Sequence, residues 1–67
     1  MIVTEQPIAD WVRLIRTEFD EMPGLVLTSS QIQRMWGIES NVCRAAMDRL
    51  VAAGVVMRRA DSSYAAR

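Results

Sequence analysis

Two glycines, Gly37 and Gly54, each stand where a run of helical periodicity stops, and the stretch they punctuate limits this chain more than any other feature. Upstream of Gly37, Thr28 is a good N-cap because its hydroxyl accepts from the free amides of a first turn. Gln31, three residues on, completes a capping box. Ile32, Met35 and Trp36 then fall at i, i+3 and i+4, so a short helix over about 29–36 is expected to have one apolar face. Gly37 takes the left-handed conformation that a helix end requires, and Ile38 supplies the apolar contact back onto the helix. A second helix is predicted over about 39–53, beginning near Glu39 or Ser40 and stopped by Gly54. On a helical wheel Cys43, Ala46, Met47 and Leu50 form an inward stripe, while Asn41, Arg44, Ala45, Asp48 and Ala52 share the opposite side. Two helices joined by a tight glycine turn make a helix-turn-helix by pattern, a motif that presents its second helix outward.

The rest of the chain reads as support for that pair. Pro7 suits a first helical turn, where its missing amide has no partner to lose. From there Ile8, Trp11, Val12, Ile15, Phe19 and Met22 repeat at helical spacing, which predicts a central helix over about 7–22 with its aromatic residues filling the core. Asp10, Arg13, Thr17 and Asp20 fall on its solvated side, and Leu14 lies off the stripe. Met1 to Thr4 suit either a short strand or a frayed end. Pro23-Gly24 breaks the helix, and Leu25-Val26-Leu27 reads as a strand over about 25–27. After Gly54, two extended runs around the polar segment Ala60 to Ser63 predict a β-hairpin over about 55–66, to which the earlier strand can add a third. The expected fold is therefore mainly α with a small β-hairpin: one domain, residues 1–67, a three-helix winged helix-turn-helix with a two- to three-stranded antiparallel sheet.

Composition narrows the function. A chain of 67 residues buries only about 60% of the surface its unfolded form exposes, so its stability is expected to be marginal. A 51% apolar content, with two Trp, one Phe and five Met, still suffices for one small core. One Cys and no His leave no internal disulfide and no zinc ligand set, and Cys43 on the inward stripe reads as a small core residue. No apolar run approaches the roughly 20 residues that span a bilayer, and the start MIVTEQP has no leader pattern, so a cytoplasmic protein is expected. Without histidine, a glycine-rich phosphate loop or buried carboxylates, neither catalysis nor a cofactor nor a metal is expected. Net charge is zero but unevenly spread. Residues 1–27 hold two Arg against five carboxylates, −3, and residues 28–67 hold six Arg against three, +3.

The line from Leu27 to Arg59 resembles the DNA-binding core of bacterial winged helix-turn-helix regulators of the multiple-antibiotic-resistance type. It does so in Leu27-Thr28, Gly37-Ile38, the Asp48-Arg49-Leu50 triplet and the Gly54-Val-Val-x-Arg-Arg59 run. It also resembles a group of short bacterial proteins sharing a Pro-Gly-Leu-x-Leu-Thr start, here Pro23 to Thr28, and an Arg-x-Trp-Gly segment, here Arg34 to Gly37. The resemblance implies transcription regulation, with Ser40, Asn41, Arg44 and Ala45 against base edges and Arg58 and Arg59 along phosphates. Two departures are Glu39 at the cap, where Ser or Thr is common, and a very short hairpin. The long flanking helices by which such regulators dimerise have no counterpart in these residues.

From the residues themselves, Asn41 and Arg44 are the types that read adenine and guanine through paired hydrogen bonds, although Arg44 and Asp48, four apart, equally suit a surface ion pair. Arg49, on the flank of its helix, suits either a structural or a phosphate role. Ser29 and Ser30 leave open amides at a helix start where a phosphate can dock. The expected partner is double-stranded DNA. The alternative is an interaction module that binds another protein or forms a homodimer, favoured by the neutral charge and by Ala45, Ala52 and Ala53 on or near the outer face.

Overall fold

The computed structural model describes residues 8–67, so the readings for Met1 to Thr4 and for Pro7 lie outside the described residues. The chain runs α1 (Ile8–Glu21), β1 (Val26–Thr28), α2 (Ser29–Trp36), α3 (Ser40–Ala52), β2 (Val56–Arg58) and β3 (Ser63–Ala66). Three helices and one three-stranded antiparallel sheet make the expected winged helix-turn-helix, with every element within a residue or two of its predicted place.

Local chemistry accounts for the boundaries. Thr28 is at once the last residue of β1 and the N-cap of α2. Its side chain accepts from the Gln31 amide at 3.2 Å, while its own amide donates to Gln31 Oε1 at 2.8 Å, closing the capping box. Gly37, at φ +65°, ends α2 and lets the Ile38 amide reach the Gln33 carbonyl at 3.1 Å. At the end of α3 the same device recurs: Gly54 lies at φ +77°, its amide donates to Val51 and the Val55 amide donates to Leu50. Glu39 caps α3 by backbone geometry alone, with no side-chain hydrogen bond to the helix. Met22 and Leu25 close a turn around Pro23-Gly24 through a 2.9 Å backbone bond.

The sheet order is β1-β3-β2, so the last strand lies between the other two. Val26, Ala65 and Met57 form one row across it, and Leu27, Tyr64 and Arg58 the next. Because side chains alternate along a strand, the second row lies on the helix side of the sheet, with Arg58 at its exposed edge, and the first faces outward. Leu27 and Tyr64 are buried, whereas Val26 and Met57 are exposed.

The core joins all these pieces. Ile15 and Phe19 of α1 and Ile32 of α2 meet Cys43, Ala46, Met47 and Leu50 of α3, closed by Leu27, Ile38, Val56 and Tyr64. The inward stripe of α3 is therefore the predicted one, and Leu14 is exposed as expected. Two apolar expectations fail. Met22 lies beyond the end of α1 and is exposed. Met35, assigned to the inner face of α2, is 53% exposed. Burial on α2 runs from Ile32 through Trp36 to Ser29 and Gln33, and Met35 sits about 60° around the helix on the other side of Ile32. A two-turn helix packed along one side covers only a narrow arc.

Candidate functional site

The outward face of α3 carries Asn41, Arg44, Asp48 and Ala52, all exposed, with Ala45 half-buried beside them. Among the described residues nothing covers that face. Next to it the start of α2, the middle of α3 and the hairpin surround an open concavity of about 280 Å³ lined by Ser29, Arg44, Arg58, Ser62 and Tyr64. Three elements thus bring together three of the residues the sequence singled out: Ser29, Arg44 and Arg58.

Arg58 is held rather than loose. It is the cross-strand partner of Tyr64, and its Nη2 donates to the Tyr64 hydroxyl at 3.0 Å. The guanidinium carbon lies 5.5 Å from the centre of the Tyr64 ring, in cation–π range. The same nitrogen is 3.6 Å from a carboxylate oxygen of Asp48 on α3. The hydrogen bond to Tyr64, then the charge available to the Tyr64 phenol, and last the Asp48 carboxylate push the Arg58 pKa above its usual value. The i, i+4 pairing expected between Arg44 and Asp48 is not the one formed, because the hairpin brings Arg58 onto Asp48 and leaves Arg44 facing the concavity.

The remaining cationic and polar candidates are dispersed. Arg59, the next residue along, does not line the concavity, and Arg49 lies about 140° around α3 from Arg44, in the last turn, where a cation complements the helix dipole. Ser30 and Ser40 are exposed at the starts of their helices. Ser29 is already engaged: its hydroxyl accepts from Gln33 Nε2 at 3.3 Å and lies 3.7 Å from the buried Cys43 thiol. The Asn41 carbonyl oxygen accepts from the Val42 amide at 3.0 Å, so the side chain folds back on its own helix and must turn outward to read a base.

No protein-family model, curated protein or solved structure matches the chain.

Three contributors escaped the sequence reading. Tyr64 is buried in the wing, and its hydroxyl also fixes Arg58. Ser62 lines the concavity from the hairpin tip. Asp61 completes that tip by accepting from the Ser63 hydroxyl at 2.6 Å and the Ser63 amide at 3.1 Å, bonds that lower its pKa below the ordinary carboxylate range. The Arg58–Tyr64 pairing depends on hairpin register, which the loop geometry sets and composition does not show. Among the described residues no group of three or more His, Cys, Asp or Glu side chains is placed to hold a metal ion. Nor is any described helix long and apolar enough to cross a membrane.

Proposed function

We propose that this chain binds double-stranded DNA as a winged helix-turn-helix protein, acting in transcription regulation in the cytoplasm, with α3 in the major groove and the hairpin beside it. One observation carries the reading: Arg44 from α3 and Arg58 from the hairpin flank a single open concavity at the start of α2, next to an exposed helical face. Two cations on separate elements, one of them held by Tyr64, suit a backbone phosphate, and phosphate contacts set the register in which a helix meets base edges. Asn41 and Arg44, on the exposed face, have the chemistry to read adenine and guanine there. The resemblance to multiple-antibiotic-resistance-type regulators supports the same docking. One copy offers few phosphate contacts, so a specific site would be bound by two copies on adjacent half-sites.

A chemical-shift map of the folded protein with random-sequence duplex at low salt tests this. Changes are expected at Asn41, Arg44 and Arg58, and Arg44→Ala is expected to weaken binding by about 1–3 kcal/mol if Arg44 reaches a base. No change at those three positions in a folded sample would remove the reading.

A second reading, an interaction module, is favoured by the outward sheet row Val26, Ala65 and Met57, which leaves two large apolar side chains in solvent. In that case the duplex leaves α3 unperturbed, and concentration-dependent shifts appear at Val26 and Met57 instead.

A further inference from the structure

The ion pair between Asp48 and Arg58 is unusual in its position. A carboxylate on the outward face of α3, one turn beyond Arg44, stands 3.6 Å from the one hairpin cation that lines the concavity. Both side chains are more than half exposed, at 60% and 55%, so the pair is open to exchange with any anion in solution. A pair so exposed adds little to the stability of the fold. Arg58 does not need Asp48 to stay in place either, because the Tyr64 hydroxyl and ring hold the guanidinium from its own sheet.

We infer that Asp48 is a specificity-determining residue: a resident counter-ion on Arg58 that a backbone phosphate must displace, so that a duplex offering only phosphates is held weakly. The inference rests on the duplex-binding reading above. With Asp48 ionised, Arg44, Arg58 and Asp48 together present one net positive charge beside the concavity; without it they present two. Non-specific binding to DNA comes almost wholly from such charges, whereas specific binding adds contacts to base edges. A carboxylate at this point therefore removes a larger share of the first than of the second. The neutral net charge of the whole chain acts in the same direction.

The test compares the intact protein with Asp48→Asn, which keeps the shape and removes the charge, by fluorescence anisotropy with a random-sequence duplex over a series of salt concentrations. The variant is expected to bind about threefold to tenfold tighter at low salt, with the slope of log affinity against log salt steeper by about one. Adding Arg58→Gln to the variant should abolish the gain, and Asp48→Ala should reproduce it; a gain seen with asparagine but not with alanine would come from a new amide contact and would overturn the inference. Equal affinity and slope for wild type and Asp48→Asn, both binding, would overturn the inference and leave the duplex reading standing. Binding by neither protein would overturn both.

Discussion

Ser62 is the only described residue other than glycine with a positive φ, at +70°. It sits where the hairpin reverses: the Ser62 amide donates to the Arg59 carbonyl at 3.0 Å, and the Arg59 amide donates to the Ser63 carbonyl at 2.7 Å. A turn of this form needs one left-handed residue before the second strand resumes, and the position favours glycine. An L-residue there costs about 1–2 kcal/mol, whereas glycine adds about 0.5–1 kcal/mol of chain entropy to be lost on folding. Ser62→Gly is therefore expected to stabilise the protein by about 0.5–1 kcal/mol, read as a higher urea midpoint. An unchanged or lower midpoint would mean that the Asp61–Ser63 bonds, not the backbone, fix the tip. The sequence placed a polar turn here correctly, but a serine gives no sign that it will be the left-handed residue.

At the scale of elements, the junction of β1 and α2 concentrates the most structure in the fewest residues. Thr28 pairs with Ser63 in the sheet and caps α2 in the same conformation, since an N-cap and a strand share the extended region of the backbone. Replacing it with alanine removes the hydroxyl that accepts from Gln31, and Thr28→Ala is expected to cost about 1 kcal/mol. In a domain of this size that lowers the melting temperature by roughly 4–8 °C, measurable by circular dichroism. A loss of under a degree would show that the sheet, not the cap, fixes the start of α2. This junction was legible because capping is a local event between residues three apart. Met35 was not legible for the opposite reason. Helical spacing says which residues share a face, but how much of that face is covered depends on the neighbour, and α2 has few turns to offer α3.

For the whole molecule, a single core carries every element, and the largest fully buried side chain in it is Phe19. Net stability for a chain of this length is expected near 3–10 kcal/mol, on the order of 0.05–0.15 kcal/mol per residue. Phe19→Ala costs about 3–5 kcal/mol through lost burial and the cavity left behind. The variant is therefore expected to melt more than about 10 °C below the wild type by far-ultraviolet circular dichroism. A cooperative transition near that of the wild type would mean that the core closes over the gap. Charge also acts at this scale. On α1 both arginines are near acids, Arg13 beside Asp10 and Arg16 beside Asp20, so its acidic excess rests on Glu18 and Glu21.

The order of elements, both glycine stops, the capping box and the buried stripe of α3 were fixed by the sequence itself. Each depends on residues within a few positions of one another, where backbone conformation and side-chain period decide the outcome. Tertiary structure alone decided which charges meet across elements. Asp48 had a partner available one helical turn away in Arg44, yet the hairpin, whose register is set by a left-handed serine at its tip, delivers Arg58 to it instead. The concavity shared by Ser29, Arg44 and Arg58 arises in the same way. Contacts between residues 14 or more positions apart depend on the angles at which strands and helices pack, and no local pattern records those angles.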